Sequence, residues 1–201
     1  MFRLLTLMCL TLSVASQTGC GAKAVEEAPQ SKARQPDANQ QEQSKRNEIE
    51  KLEPTDLGAA RPAHVVGQVY MAGQPSEKDI AKLKEKGIRT IVTLRTEGEI
   101  SWDEKAAVEA AGMTFVSIPF RGEDELTDEV FDKARAVLKD KDQQPVLLHC
   151  GGADRVGALW MAHRAVDDGL GIDAALKEAK TAGLRSEKYQ KKAEAYIERN
   201  K

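Results

Sequence analysis

One cysteine stands in a segment whose residue order favours nucleophilic chemistry. Cys150 directly follows the apolar run 145–149, and a short glycine-rich stretch separates Cys150 from Arg155. An apolar helix is predicted from residue 156. A strand, a compact turn and a helix start, in this order, direct several backbone N–H groups at one point, which is the geometry of an anion-binding nest. The sequence therefore predicts an anion-binding loop with a thiol at its base.

The two side chains that flank this loop have complementary chemistry. The turn amides and the positive end of the predicted helix favour the thiolate form of Cys150, which is the nucleophilic form. Arg155 offers a planar fork of donors that matches two oxygens of a bound oxyanion and the charge of a transition state. A single cysteine is as easily a packed core residue. The prediction therefore depends on the order of strand, cysteine, glycine turn, arginine and helix.

The chain resembles the cysteine-dependent dual-specificity phosphatase superfamily, and within it the bacterial branch that is also found fused to NAD kinases or to metallo-hydrolase domains. The resemblance covers about residues 65–184 and is carried by Gly-Gln-Pro-Ser at 73–76, Thr-Leu-Arg at 93–95, Arg-Val-Gly-Ala-Leu-Trp at 155–160 and Ala-Gly-Leu at 182–184. It implies that Cys150 is the nucleophile that forms a phosphocysteine and that Arg155 is the phosphate clamp. It also implies that His149 orients the loop and tunes the thiol. The turn that would bind the substrate phosphate consists of Gly151, Gly152, Ala153 and Asp154.

The loop departs from the usual phosphatase pattern in its length and in two residue types. Four residues rather than five separate Cys150 from Arg155, so the cradle has one N–H fewer and suits a smaller group, as the rhodanese loop does with sulfur. Val156 replaces the Ser or Thr that, in many phosphatases, donates to the cysteine sulfur as it leaves. Asp154 puts a carboxylate beside the anion site, which weakens binding unless it turns outward or pairs with a base.

These departures leave two alternatives to the phosphatase open. One is a rhodanese-like sulfurtransferase in which Cys150 carries a persulfide. The other is a catalytically degenerate module that binds phosphate or a partner without turnover.

Hydrolysis of a phosphate ester also needs a proton for the leaving oxygen, usually from an Asp on a separate loop. The predicted strand 114–118 runs parallel to the strand before Cys150, so the loop 119–125 opens at the same edge of the sheet. In this loop Asp124 is the first candidate for the general acid, and Glu123 is the second. Solvated loop acids are common and need no function, which is the competing interpretation of both residues.

Two arginines are predicted near the mouth of the same pocket. Arg95 follows the predicted strand 90–94, and Arg121 belongs to the loop after the next strand. Both would favour a multiply anionic substrate, which we expect to be a phosphorylated protein or small molecule. The three histidines are scattered with no second thiol near them, so no metal site is predicted. No Gly-x-Gly-x-x-Gly or Walker pattern is present, and no cofactor is implied.

Strand-like and helical segments alternate across residues 63–201. Strands are predicted at 64–71, 90–94, 114–118 and 145–149, and helices at 76–86, 101–112, 127–140 and 156–168 and from 173 and 186 onward. This alternation predicts an α/β domain with a central, mostly parallel sheet of four to five strands flanked by helices. That is the cysteine-phosphatase-like fold that the resemblance implies.

The N-terminal part of the chain has the pattern of an export signal. Residues 1–19 combine Arg3 with a short apolar run, and the sequence that ends at Cys20 resembles a bacterial lipobox. A lipid on Cys20 would anchor the protein to a membrane in the cell envelope, on the extracytoplasmic, periplasmic side. The alternative is a plain signal peptide cut near Ala15. Residues 20–62 are poor in large apolar side chains and are predicted to form a disordered tether.

The overall composition excludes other classes of function. The net charge is −2, and no dense block of lysine and arginine is present. Without such a block there is no patch for the phosphate backbone of a nucleic acid, so nucleic-acid binding is not predicted.

The chain is predicted to be a monomer.

Overall fold

The computed structural model describes residues 50–201 of the chain. The strands of this part are β1 (Glu53–Pro54), β2 (Ala63–Val66), β3 (Val69–Ala72), β4 (Thr90–Thr93), β5 (Thr114–Ser117) and β6 (Val146–His149). Its helices are α1 (Asp79–Glu85), α2 (Glu104–Ala110), α3 (Asp128–Lys139), α4 (Asp154–Val166), α5 (Ile172–Ala182) and α6 (Glu187–Asn200). The predicted signal peptide, Cys20 and most of the predicted tether lie outside the described residues. None of the helices in 50–201 has the length and apolar character that crossing a bilayer requires.

The strands form one sheet in the order β1-β2-β3-β6-β4-β5. The pairs β3–β6, β6–β4 and β4–β5 are parallel, while β1–β2 and β2–β3 are antiparallel. His149 at the end of β6 lies level with Ala72 on one side and with Thr93 on the other. The carboxyl ends of the parallel strands therefore meet at one edge, and Cys150 follows the central strand there. The predicted α/β fold with a mostly parallel sheet is confirmed, with six strands instead of four to five.

One of the additional strands arises because the predicted strand 64–71 is in fact a hairpin. Gly67 has a φ of +52°, a left-handed conformation that glycine adopts without steric cost. It forms a two-residue turn with Gln68, and Val66 then pairs with Val69 across the hairpin. The apolar alternation continues through the turn, so the pattern alone does not reveal the reversal.

The other additional strand lies in the segment predicted to be tether. β1 pairs with β2, and both Leu57 and Ala60 are completely buried. The Arg164 guanidinium on α4 donates a 2.6 Å hydrogen bond to the carbonyl oxygen of Glu50. The prediction that the disordered tether continues to residue 62 is therefore wrong, because residues 50–62 are part of the folded structure. This segment has few apolar residues, but it buries Leu57 and Ala60 and adds β1 to the edge of the sheet.

The helix that follows the loop from Cys150 to Arg155 is the central helix of the domain. All ten residues from Val156 to Ala165 are buried, and α5 and α6 pack against this helix. Helix α4 begins at Asp154, two residues before the predicted start. Because β6 and α4 are both core elements, the loop between them is held at both ends.

The helix predicted to begin at Ser101 begins three residues later. Asp103 is the N-cap of α2, and its carboxylate accepts a 2.9 Å hydrogen bond from the N–H of Ala106. Glu104 is therefore the first residue of the helix. It is buried together with Val108, one helical turn further on. The Glu104 side chain therefore faces the edge of the sheet at which the parallel strands end, near Gln74 and His149.

Candidate active site

The loop from Cys150 to Arg155 forms a tight reversal between β6 and α4. Cys150 is 1% exposed. Ala153 has φ 63° and ψ 6° and stands immediately before the helix, in a left-handed conformation that is uncommon for a residue with a Cβ. Successive left-handed and right-handed residues turn their N–H groups toward one side. The strained residue therefore lies where the anion cradle is predicted.

Arg155 connects this loop to the two neighbouring loops at the same edge of the sheet. Its Nη1 donates to the carbonyl oxygens of Leu94 at 2.8 Å and Phe120 at 3.0 Å, which follow β4 and β5. The same nitrogen lies 2.9 Å from Oε1 of Glu99, and Nη2 lies 2.7 Å from Oε2 of Glu99. The guanidinium is thus oriented by two connecting segments, the one after β4, which contains Leu94 and Glu99, and the one after β5, which contains Phe120.

The charges of Arg155 and Glu99 stabilise each other. The hydrogen bond from Arg155 lowers the pKa of Glu99 to about 2, against the opposing effect of burial. Burial alone would lower the pKa of Arg155, but Glu99 and the neighbouring Cys150 raise it above its usual value. Both groups are charged across the whole physiological range.

Comparison with known proteins agrees with this geometry. A model of the protein family described as DSP-PTPase phosphatase fused to NAD+ kinase matches residues 37–198. The chain belongs to this family. A curated relative in Pseudomonas aeruginosa strain UCBPP-PA14, the dual specificity protein phosphatase TpbA, is 28% identical over 130 residues. That match covers 64% of this chain and 57% of TpbA, so the chain spans little more than half the length of the curated relative. The predicted membership of a dual-specificity phosphatase family is confirmed.

Solved structures of phosphatases share the fold. Pseudomonas aeruginosa TpbA in complex with phosphotyrosine has a TM-score of 0.58 at 24% identity, covering 73% of this chain and 87% of that one. The catalytic domain of the PP-IP phosphatase SIW14 from S. cerevisiae has a TM-score of 0.59 at 19% identity, covering 74% of this chain and 93% of that one. At these identities the likeness concerns the fold alone.

In this member of the family, Arg95 takes part in a polar network behind the Cys150–Arg155 loop. Arg95 Nη1 donates to Oε1 of Gln74 at 2.5 Å, and Nη2 donates to the backbone oxygen of Glu99. Gln74 Nε2 donates to Oε1 of Glu104 at 2.7 Å, and the Gln74 N–H donates to the carbonyl oxygen of Gly151 at 3.1 Å. The Gln-Pro motif after β3 therefore supports the Cys150–Arg155 loop directly. Arg95 is mostly buried rather than free at the pocket mouth.

His149 lies at the end of this network and is completely buried. Burial, together with the charges of Arg95 and Arg155, lowers the pKa of its imidazole to about 3. Nε2 is 3.3 Å from Oε1 of Glu104, whose own pKa is raised by burial. Neither ring nitrogen of His149 makes a well-aligned hydrogen bond with another residue in 50–201. We interpret the Glu104 contact as a close polar contact of a neutral ring, because burial disfavours the charged forms of both groups.

The loop after β5 opens at the predicted edge of the sheet. Phe120 anchors it from within the core, and the Gly122 N–H donates to the Tyr189 hydroxyl of α6 at 3.1 Å. Arg121 is 68% exposed, with its Nη2 3.8 Å from Oε1 of Glu99. This distance places Arg121 beside the Arg155 clamp, as the topology predicted.

The two candidate acids of this loop differ in their surroundings. Glu123 forms an ion pair with Lys188, which lowers the pKa of its carboxyl. Asp124 is exposed, and its carboxylate makes no hydrogen bond or ion pair within the described part of the chain. Within residues 50–201, Glu123 is therefore held by a cation and Asp124 is not.

Asp154 is turned away from the anion cradle. Its Oδ1 accepts hydrogen bonds from the backbone N–H groups of Arg185 at 2.7 Å and Ser186 at 3.0 Å, in the connection between α5 and α6. The carboxylate thus binds backbone donors of another segment, which removes the objection that it would repel a bound anion. Gly152 is also contacted from this connection, since its carbonyl oxygen accepts from Arg185 Nη2 at 3.0 Å.

An open cleft of about 590 Å³ lies beside the Cys150–Arg155 loop, and no residue of the loop lines it. Its lining comes from residues 93, 95–98 and 100–105 and from Phe115 and Ser117, and includes Arg95 and Glu104. Neither Cys150 nor Arg155 lines it. The cleft is therefore a surface feature next to the Arg95 network and is separate from the predicted anion cradle of the loop.

Four side chains at this edge were not predicted from the sequence: Gln74, Glu99, Glu104 and Arg185. Gln74 belongs to a motif that already supported the family resemblance, so a contact to the loop was available as a hypothesis. Glu104 and Val108 are four residues apart and share a helix face, which is a signal that the carboxyl faces the core. Glu99 and Arg185 stand in connecting segments, where no periodicity indicates the direction of a side chain.

Proposed function

We propose that the chain is a cysteine-dependent phosphatase that hydrolyses phosphoric monoesters through a phosphocysteine intermediate. The observation that carries the proposal is the placement of Cys150 and Arg155 on one strained loop whose two ends are fixed in the core. The turn amides and the oriented guanidinium supply donors for the phosphoryl oxygens, where charge develops in the transition state. Membership of a phosphatase family supports the same reaction.

In the proposed reaction, the Cys150 thiolate attacks phosphorus and the bond to the ester oxygen breaks. The leaving oxygen takes a proton from Asp124, the proposed general acid. A water molecule then attacks the phosphocysteine and gives a proton to the Asp124 carboxylate, which restores the general acid. The S–P bond breaks, inorganic phosphate is released and the sulfur returns to its thiolate form. Arg155 and the N–H groups of residues 151–155 hold the phosphoryl oxygens through both steps. The overall reaction consumes one water and needs no oxidant or reductant.

The names of the relatives support a phosphorylated substrate, either a protein or a small molecule. The curated relative is called a dual specificity protein phosphatase, and one solved structure of it holds phosphotyrosine. SIW14 is called a PP-IP phosphatase. Arg121 at the rim and the Arg95 network behind the loop make the surroundings of the cradle cationic, which suits anionic substrates of both kinds.

The decisive experiment compares the full-length chain with its Cys150→Ser variant on an aryl phosphate and on thiosulfate plus cyanide. We expect phosphate release from the wild type and none from the variant. Arg89→Ala is the matched control, since Arg89 is exposed and precedes β4 at the opposite edge of the sheet; it should retain full activity. Thiocyanate formation that depends on Cys150 would instead identify a sulfurtransferase. Vanadate binding without either activity would identify a binding module.

We also propose that the protein is exported and anchored by a lipid on Cys20, on the extracytoplasmic side of a membrane in the cell envelope. The support is the apolar run of residues 1–19 and the small residues before Cys20. Processing of the full-length chain in a bacterial host should be blocked by globomycin and by Cys20→Ala. Normal maturation under both conditions would indicate a plain signal peptide.

A further inference from the structure

Arg185 lies over the catalytic loop, although thirty residues separate it from Arg155 in the chain. Its Nη2 donates a 3.0 Å hydrogen bond to the carbonyl oxygen of Gly152, midway between Cys150 and Arg155. A Cβ placed on Gly152 would come within 3.1 Å of the same nitrogen. The guanidinium therefore covers the loop itself rather than a distant part of the surface.

The backbone of Arg185 is fixed to the same loop. Oδ1 of Asp154 accepts hydrogen bonds from the N–H groups of both Arg185 and Ser186. Ser186 also caps α6, because its Oγ accepts from the N–H of Tyr189 at 3.3 Å. The residue before the clamp arginine thus holds the base of the Arg185 side chain.

Two glycines allow the α5–α6 connection to approach the loop this closely. A Cβ on Gly157 would lie 2.6 Å from the Leu184 Cβ, and a Cβ on Gly183 would lie 2.7 Å from the Ala153 Cβ. Real Cβ atoms do not reach such distances, so the packing requires glycine at both positions. Arg185 follows this tightly packed segment, so its backbone is held close to the loop.

The guanidinium of Arg185 has unused binding capacity. Within residues 50–201, no carboxylate lies within 4.0 Å of it. Its neighbours differ, since Arg155 is paired with Glu99 and Lys188 with Glu123. Arginine has five N–H donors, and the bond to Gly152 uses one of them. An exposed cation with free donors thus stands beside the cradle.

We propose that Arg185 binds a second anionic group of the substrate, next to the phosphoryl group that is transferred. This inference rests on the proposed phosphatase function and narrows its substrate class to phosphate esters with a neighbouring phosphate or carboxylate. Arg155 and the turn amides hold the transferred group inside the loop. Arg185 holds the adjacent group from outside it, where its planar fork matches two anionic oxygens.

Inorganic phosphate and pyrophosphate form a minimal pair for this idea, since they differ by one adjacent phosphate. Binding is measured by calorimetry on the full-length Cys150→Ser protein, which prevents turnover. We expect pyrophosphate to bind about tenfold more tightly than phosphate, the ratio given by one charge-assisted hydrogen bond. Adding Arg185→Ala should remove most of this preference, Arg185→Lys should restore part of it, and Arg89→Ala should leave it unchanged.

The outcomes separate the role of Arg185 from the phosphatase proposal. If Arg185→Ala weakens phosphate and pyrophosphate by the same factor, Arg185 only supports the loop and the inference is overturned. The same holds if Arg185→Ala leaves the preference intact. If neither anion binds the Arg185-containing protein, the anion cradle and the proposed phosphatase site are themselves refuted.

Kinetics on two substrate pairs then identify the source of the second anion. One pair is a phosphotyrosine peptide with Glu or Gln beside the phosphotyrosine, and the other is an inositol monophosphate and a bisphosphate with adjacent phosphates. Arg185→Ala should lower kcat/KM about tenfold more for the member with the extra anion, mainly through KM. The pair with the higher kcat/KM in the wild type names the source, and equal losses within both pairs would overturn the inference.

Discussion

Glu99 and Arg155 form a two-point ion pair, with oxygen–nitrogen distances of 2.9 and 2.7 Å. The two side chains are only 13% and 12% exposed, so water screens their charges weakly. A bidentate pair determines the orientation of a guanidinium as well as its position. Glu99, which stands between β4 and α2, is therefore a positioning residue for Arg155, the proposed phosphate clamp.

Replacing Glu99 by Gln should destabilise the protein. The change removes the negative charge of the pair and leaves the mostly buried Arg155 guanidinium without its ionic partner. We expect this loss to lower the free energy of unfolding by about 2 kcal/mol. Urea denaturation of the full-length chain measures the difference. Glu97→Gln, an exposed residue of the same segment, is the control and should change stability little. Equal stability of Glu99→Gln and wild type would show that the pair contributes nothing.

The stabilisation from Glu99 should depend on pH in a defined direction. The folded protein holds the pKa of Glu99 at about 2, below the ordinary value of 4.5. A depressed carboxyl pKa stabilises the folded state above the ordinary value, and this contribution is lost as the pH falls toward the folded value. The stability difference between wild type and Glu99→Gln should therefore be full at pH 7 and shrink between pH 4.5 and 2. A difference that stays constant over this range contradicts the assignment.

Asp124→Asn tests the general acid. If Asp124 protonates the leaving oxygen, kcat for an alkyl or unactivated aryl phosphate should fall about 100-fold or more. The fall should be much smaller for p-nitrophenyl phosphate, whose leaving group needs little protonation. Glu123→Gln is the matched comparison, since Glu123 is paired with Lys188, and it should retain most of the activity. The reverse pattern would transfer the role to Glu123.

The part of the site that is contiguous in sequence was predictable, because its local order determines its geometry. A buried strand, Cys150, a glycine turn and Arg155 fold into a loop at the carboxyl edge of a parallel sheet wherever strand and helix are both in the core. The same rule placed Arg121 at this edge. These predictions needed only the hydrophobic pattern and the direction of the strands.

The contacts that tune the site were not predictable, because they join segments far apart in the chain. Glu99 bonds to Arg155 across 56 residues, and Arg185 bonds to Gly152 across 33. Neither connecting segment has a periodicity that orients its side chains. The end of the tether was misplaced for a similar reason: Leu57 becomes buried only because distant elements cover it.

Val156→Thr tests whether the missing hydroxyl limits turnover. Val156 is completely buried in the first turn of α4, and the resemblance to other phosphatases implies a hydroxyl donor to the cysteine sulfur at this position. Breakdown of the phosphocysteine should accelerate, which lowers the burst of alcohol release relative to the steady rate. Burying the hydroxyl should cost about 1 kcal/mol or more of stability. Val156→Ala is the control, and an equal change in both variants would assign the effect to altered packing.

Gly157→Ala tests whether close packing of the α5–α6 connection positions the loop. In an ordinary helix interior, alanine is more favourable than glycine by up to about 1 kcal/mol. Here the added Cβ would lie 2.7 Å from the backbone nitrogen of Leu184 and 2.9 Å from the carbonyl oxygen of Ala179, and backbone atoms cannot move aside cheaply. Overpacking should therefore prevail and destabilise the protein by about 1–3 kcal/mol.

Gly171→Ala is the control for this substitution, because no atom lies within 4 Å of a Cβ at Gly171. Glycine is preferred over alanine at an N-cap, so Gly171→Ala should still lose about 0.5–1 kcal/mol, and any destabilisation of Gly157→Ala is judged against that loss. Urea denaturation compares the stability of the two variants. Calorimetry measures how tightly each variant binds pyrophosphate, which reports on Arg185, the residue after Leu184. Gly157→Ala should weaken pyrophosphate binding because the connection must move away from the loop. A stable Gly157→Ala protein with unchanged binding would show that the α5–α6 connection yields freely and does not hold Arg185 in place.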